Sequence, residues 1–108
     1  MTGQEPPAAH TDLPAIDRVV HEPARMAILS VLDAVAQADF TFLETMLGLS
    51  KGNLSSHLTR LEVAGLITAK KSFHGRKQRT TVRITARGRR AREEHWEKLE
   101  KLHDLMRD

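Results

Sequence analysis

The fold of this chain is decided by residues 49–66, which read LSKGNLSSHLTRLEVAGL. The leucines of this stretch recur at helical spacing and form one apolar stripe, made of Leu54, Leu58 and Leu61. Ser50 is a favourable N-cap for such a helix, and Gly65 suits the left-handed residue that ends one. We therefore predict an amphipathic helix at about residues 51–64, with a small and polar outward face.

Two further helices are predicted upstream of this one. An early proline and apolar residues at helical spacing predict a core helix at about residues 23–36. Thr41 and Glu44 stand at the spacing of a capping box and predict a short helix at residues 42–47. Gly48 suits a left-handed helix end, so a tight turn joins this short helix to the next one. The predicted arrangement is a helix-turn-helix.

Beyond Gly65 the apolar period changes from helical to alternating, which predicts two strands joined as a hairpin at about residues 67–84. The tip of this hairpin, around Gly75, is basic. Thr85 can cap a final helix at about residues 85–106. The apolar stripe of that helix is formed by Trp96, Leu99, Leu102, Leu105 and Met106. The predicted fold class is mainly α with a small β-hairpin (α+β).

Length and composition favour one domain. A chain of 108 residues has room for one core, and an aromatic content of 4% favours helices packed through aliphatic side chains. We expect a flexible tail at residues 1–12 and a single domain at residues 13–108. The absence of cysteine excludes disulfides and thiolate metal sites. Because no signal-peptide pattern and no apolar run of roughly 20 residues is found, we expect a cytoplasmic protein without a membrane segment.

Positive charge is concentrated in one block of the chain. No acidic residue lies between Glu62 and Glu93, and that interval holds the cations Lys70, Lys71, Arg76, Lys77, Arg79, Arg83, Arg87, Arg89, Arg90 and Arg92. The net charge of the whole chain is only +3, so the basicity is local rather than general. Such a block attracts phosphate and makes nucleic acid the leading partner.

The sequence resembles the winged helix-turn-helix transcriptional regulators of the MarR and ArsR type, in particular their small, domain-only relatives. Besides residues 49–66, the resemblance is carried by residues 25–29 (RMAIL), 40–44 (FTFLE), 71–76 (KSFHGR) and 85–88 (TARG). It implies a winged helix-turn-helix with a long C-terminal dimerisation helix. It also implies that the second helix of the motif reads the major groove while the hairpin, or wing, reaches along the backbone or minor groove.

The residues expected to contact DNA lie on the outward helix face and at the wing tip. They are Lys51, Gly52, Asn53, Ser55, Ser56, Thr59, Arg60, His74, Arg76, Lys77 and Arg79. Val63 also falls on the outward side of the helix, and we expect it to pack under the wing. The four arginines at the start of the final helix oppose its macrodipole. We therefore interpret Arg87, Arg89, Arg90 and Arg92 as a phosphate-facing surface.

The final helix carries two further hypotheses. Its apolar stripe has few elements to pack on in so small a domain, so we expect it to form a homodimer, with intrachain packing as the alternative. His and carboxylate side chains on the same helix could bind a borderline metal ion, and the candidates are His95, Glu100, His103 and Asp104. Their spacing does not follow the ArsR-type pattern, so no metal and no other cofactor is expected.

The function predicted from the sequence is that of a sequence-specific, double-stranded-DNA-binding transcriptional regulator, expected to be a repressor. The alternative is a winged-helix module that binds an acidic protein without binding DNA. An enzyme is not expected, because the chain has no cysteine nucleophile, glycine-rich phosphate loop or paired-carboxylate motif. With no appended ligand domain in the sequence, a small-molecule effector would bind in the domain core or at the dimer interface.

Overall fold

The computed structural model describes residues 18–107, which form four helices and a three-stranded sheet. In chain order the elements are α1 (Pro23–Val35), β1 (Gln37–Asp39), α2 (Phe40–Leu47), α3 (Lys51–Val63), β2 (Ile67–His74), β3 (Lys77–Ile84) and α4 (Ala86–Leu105). The fold class is therefore the predicted one, mainly helical with a small sheet. The tail expected at residues 1–12 lies outside the described residues.

A single aliphatic core joins the helices to the sheet. The leucine stripe of α3 is buried as predicted, and it meets Ile28, Leu29 and Leu32 of α1 and Leu43 of α2 in one cluster. The sheet closes the cluster with Ile67 and Val82. Each such side chain stabilises the fold by roughly 1.5–3 kcal/mol relative to its exposed state. This burial fixes α3 with its leucines inward and its polar residues outward.

The sheet is antiparallel, with the strand order β1-β3-β2. The hairpin pairs Ile67 with Ile84 at its base and His74 with Lys77 at its tip. The third strand, β1, was not predicted from the sequence. It has three residues and pairs Ala38 with Val82, which is too short for an alternating pattern to be recognised.

The start of α2 corrects one prediction. Thr41 is not the N-cap, because the helix begins at Phe40, two residues before the predicted start. Its N-cap is Asp39, whose Oδ1 accepts the backbone N–H of Phe42 at 2.9 Å. Asp39 also ends β1, which pairs it with Thr81. The end of the strand therefore fixes where the helix begins, and the capping box does not form.

The remaining helix ends of the motif follow the sequence. Gly48 ends α2 with φ 65°, and the Ser50 hydroxyl caps α3 by accepting the backbone N–H of Asn53 at 3.2 Å. After α3, Gly65 donates its N–H to Glu62 and Leu66 donates its N–H to Leu61. These two bonds form a Schellman motif, in which Gly65 is the left-handed residue with φ 78°.

Thr85 and Gly88 attach the final helix to this corner. The Thr85 Oγ1 accepts the backbone N–H of Gly88 at 2.9 Å and donates to the carbonyl oxygen of Gly65 at 2.7 Å. Gly88 is buried against the Leu66 carbonyl, where a Cβ would stand only 2.1 Å from the oxygen. The N-terminus of α4 is therefore locked to the end of α3 and the base of the wing.

Candidate nucleic-acid interface

The outward face of α3 is polar and fully accessible. All seven helix residues predicted to contact DNA are exposed, and they are Lys51, Gly52, Asn53, Ser55, Ser56, Thr59 and Arg60. The Thr59 side chain is held within the helix, since its Oγ1 donates to the Ser55 carbonyl oxygen at 2.9 Å. A Cβ added at Gly52 would meet no atom within 4 Å. The glycine is therefore not required by packing, and another backbone can approach closely there.

The wing extends beyond the core as a regular hairpin. Its turn is Gly75-Arg76, and Gly75 has φ 66° while Arg76 has a negative φ, as in the type II′ turn that suits twisted hairpins. The four wing residues predicted to contact DNA are exposed, namely His74, Arg76, Lys77 and Arg79. Within the described part of the chain none of them forms an ion pair. The wing tip thus presents uncompensated positive charge to solvent.

A groove of about 550 Å³ connects the two predicted surfaces. Lys51, at the start of α3, lines it together with His74, Lys77 and Arg79 of the wing. It is also lined by two acids, Glu44 of α2 and Asp39 at the end of β1. The structure therefore brings the first turn of α3 and the wing cations to one concave surface. The tip residue Arg76 is exposed beyond this groove.

Two interpretations of the sequence are wrong. Val63 does not pack under the wing, because its side chain is 84% exposed. Arg89 and Arg92 are not directed at solvent phosphate, because both bind Asp33 of α1, with N–O distances of 3.0 and 3.3 Å. Arg92 Nε also donates to Ser30 Oγ at 3.0 Å. These two arginines join α4 to α1, and this attachment offsets the unfavourable helix dipole.

A polar network between α1 and the middle of α3 was missed in the sequence. Arg25 of α1 donates through Nε to the Val19 carbonyl oxygen at 2.5 Å, and its Nη1 lies 3.2 Å from His57 Nδ1 on α3. Glu22 caps α1, and its Oε2 lies 3.9 Å from His57 Nε2. No sequence signal could have found this contact, since Arg25 and His57 are 32 residues apart.

The electrostatics of Glu22 follow from this network. Burial opposes its ionisation, but the backbone N–H of Arg25 and the proximity of His57 outweigh that effect and lower the pKa of Glu22. The Glu22 Oε1 accepts the Arg25 N–H at 3.0 Å. The ionised carboxylate therefore stabilises the start of α1.

On α4 the predicted dimerisation residues form a partly exposed stripe. Trp96, Leu105 and Met106 are 44%, 51% and 82% exposed, while Leu99 and Leu102 are half-buried.

Among residues 18–107, no helix is long and apolar enough to cross a membrane.

The structure does not bring the four candidate metal ligands of α4 together. His95 is 2% exposed and its Nε2 lies 3.3 Å from His21 Nδ1, whereas His103 and Asp104 are exposed near the end of the helix, and Glu100 is also exposed. Among residues 18–107, no group of three or more His, Cys, Asp or Glu side chains is placed to hold a metal ion.

Comparisons with known proteins agree with this geometry. Residues 24–103 match the family model described as a winged helix DNA-binding domain. The uncharacterized protein MJ0432 of Methanocaldococcus jannaschii is 34% identical over 72 residues, which cover 67% of this chain and 78% of that protein.

Solved structures give the same result. A transcriptional regulator homologue from Pyrococcus horikoshii OT3 superposes with a TM-score of 0.77 and 30% identity, covering 83% of this chain and 89% of that one. MarR superposes with a TM-score of 0.70 over 82% of this chain and 64% of its own, and its 24% identity supports the fold alone. The chain therefore belongs to the winged helix DNA-binding domain family, with the fold of the MarR-like transcriptional regulators.

Proposed function

We propose that this protein is a homodimeric transcriptional repressor that binds double-stranded DNA sequence-specifically, with α3 in the major groove and the wing on the backbone or minor groove. One observation carries the proposal. The exposed polar face of α3 begins at Lys51, and Lys51 lines one groove together with the wing cations Lys77 and Arg79, which form no ion pair within the described residues. Asn53 can read adenine, Arg60 can bind guanine or phosphate, and the wing cations can bind phosphate.

The test is a fluorescence-anisotropy titration of labelled genomic DNA fragments at low salt. The variant combines Arg76→Glu with Lys77→Glu, and the matched control combines Lys98→Glu with Lys101→Glu on α4, which makes the same change in net charge. We expect the wing variant to bind much more weakly and to show a flatter salt dependence, because log K changes by about 0.9 per phosphate contact for each decade of salt. The control should bind like the wild type. Equal binding by both variants would refute the wing contact.

The alternative function is a protein-interaction module in which the same basic surface meets an acidic protein. It is distinguished by the wild-type titration alone. A complete absence of DNA binding at low salt would favour this alternative over the regulator.

The homodimer is supported by the apolar stripe of α4. Trp96 and Leu105 are both about half exposed. At roughly 100° per residue they lie at the two edges of the apolar stripe, with Leu99 and Leu102 between them. Combining Trp96→Asp with Leu105→Asp should convert the dimer to a monomer in sedimentation-velocity ultracentrifugation. A wild-type protein that sediments as a monomer at all concentrations would exclude this part of the proposal.

An unknown small-molecule effector would fit beside this stripe. A pocket of about 240 Å³ is lined by His21, Met26, His95, Trp96 and Leu99, among others, and it lies between the start of α1 and α4. Ligand binding there would change how the dimerisation helix sits on the DNA-binding elements. We further propose a cytoplasmic, non-catalytic protein, in keeping with its regulator homologues.

A further inference from the structure

A second groove lies along α3, on the side that faces the start of α1. It encloses about 380 Å³. It is lined by the apolar residues Val19, Val63 and Ala64, by Thr59, and by the three arginines Arg18, Arg25 and Arg60. The groove therefore combines an apolar surface with three positive charges, and it includes Val63, the exposed side chain that the packing of the chain leaves unexplained.

Arg25 holds this groove together. Besides its bonds to Val19 and His57, it donates through Nη2 to the carbonyl oxygen of Arg18 at 3.3 Å. Two of these partners are backbone carbonyl oxygens, which orient the guanidinium group without cancelling its charge. Glu22, whose carboxylate caps α1 and lies near His57, also interacts electrostatically with Arg25. Arg18 and Arg60 are exposed and form no ion pair within the described residues.

The position of the groove relative to the wing indicates its ligand. Lys51, which lines the wing groove, and Arg60, which lines this one, are nine residues apart on α3, or about half a turn around the helix axis at roughly 100° per residue. Cations therefore flank the outward face of α3 on both sides. A major groove is likewise bordered on both sides by phosphates, so a helix lying in it meets two sugar-phosphate strands.

We propose that Arg18, Arg25 and Arg60 form a second backbone clamp, which holds the DNA strand on the side of α3 away from the wing. A sugar-phosphate strand matches both parts of the groove. The arginines bind phosphate, and Val63 with Val19 contacts the apolar face of deoxyribose. The clamp rests on the proposed DNA binding of α3 and adds to it Arg18, Val19 and Arg25, which precede the motif or lie in α1. In this arrangement His57 is a positioning residue, because its Nδ1 lies 3.2 Å from Arg25 Nη1 and holds that guanidinium group against α3.

The test measures duplex affinity as a function of salt for Arg18→Gln and Val63→Asp. Arg18 is exposed and its side chain forms no internal bond in the described structure, so Arg18→Gln leaves the fold intact. Lys101→Gln, on the exposed end of α4, is the control for charge. Loss of one phosphate contact should flatten the slope of log K against log salt by about 0.9 and weaken binding about eightfold at 0.1 M salt. Val63→Asp should weaken binding at least as much, through repulsion of the strand.

Each outcome decides the matter. If the wing variant loses affinity while Arg18→Gln and Val63→Asp bind like the wild type, the clamp is wrong and DNA binding by the wing stands. If the wild type binds no duplex, both the clamp and the proposed function fail. If anilinonaphthalene sulfonate binds in an Arg18-dependent way and does not compete with DNA, the groove takes a small amphiphilic anion instead and the clamp is overturned. If the probe competes with DNA for the wild type and this competition disappears in Arg18→Gln, the clamp is supported.

Discussion

Replacing Gly88 by alanine should disrupt the junction of the wing, α3 and α4. In the first turn of α4, a Cβ at this position would stand 2.1 Å from the Leu66 carbonyl oxygen and 2.9 Å from Ile84 Cγ1. The obstacle is backbone, which cannot rotate away as a flexible side chain would. Helix α4 must therefore move out from the corner.

The magnitude follows from what this movement breaks. Displacing α4 weakens the Thr85 N–H bond to the Leu66 carbonyl oxygen at 3.0 Å and the Thr85 hydroxyl bond to the Gly65 carbonyl oxygen at 2.7 Å. Each bond contributes about 0.5–1.5 kcal/mol, and overpacking costs a further 1–3 kcal/mol. Alanine recovers about 1 kcal/mol through its helix propensity. The net loss is about 3 kcal/mol, which lowers the midpoint of thermal unfolding by roughly 10–20 °C.

Urea and thermal unfolding, followed by circular dichroism, measure this loss. The control is Gly52→Ala in α3, where the added Cβ meets nothing within 4 Å. Helix propensity should make this variant more stable by about 0.5–1 kcal/mol. The same variant should bind DNA more weakly, because the methyl group stands where the duplex would approach. A Gly88→Ala protein as stable as the wild type would refute the close contact of α4 with Leu66.

Three further predictions concern the ends and the contacts of α1. Ala36 has φ 71°, a left-handed value that favours glycine. Ala36→Gly should therefore raise the free energy of unfolding by about 1 kcal/mol and the melting temperature by several degrees. A lower melting temperature would contradict a strained backbone at this position. Asp33→Asn should cost about 0.5–1 kcal/mol in urea unfolding, since its ion pairs with Arg89 and Arg92 are partly exposed and screened, and the loss should shrink at high salt. Folding lowers the pKa of Glu22, so its ionised form stabilises the fold. This contribution is fully present at pH values above the ordinary titration range of a carboxyl group. It is lost as the pH falls through the lowered pKa. The free energy of unfolding of Glu22→Gln should therefore fall less steeply at acid pH than that of the wild type. An equal fall in the two proteins would show that Glu22 is not responsible.

Local chemistry made the helix-turn-helix and the wing predictable from the sequence. Ser50, Gly65 and Thr85 each perform the capping role that their residue types favour. The period of the α3 leucines also determined which face is buried. The candidate DNA contacts on α3 and the wing are accordingly exposed, although their contact with DNA stays a prediction.

The errors arise where the structure depends on distant partners. The cap of α2 is Asp39 because β1 pairs with β3, more than forty residues further along the chain, and three residues of strand give no periodic signal. Charge alone likewise could not distinguish the wing cations from Arg89 and Arg92. Their partner, Asp33, is 56 and 59 residues away and becomes their neighbour only when α1 packs on α4.

The central claim is that α3 reads a major groove while the wing holds the backbone. The most direct measurement selects duplexes from a random pool with the purified protein at moderate salt and then maps hydroxyl-radical protection on the enriched sequence. We expect an enriched site with two protected half-sites whose centres are about one helical turn apart, because a two-fold dimer presents two copies of α3. Enrichment should disappear for Asn53→Ala combined with Arg60→Ala. A pool that shows no enrichment, or a site bound equally well by that variant, would contradict the account.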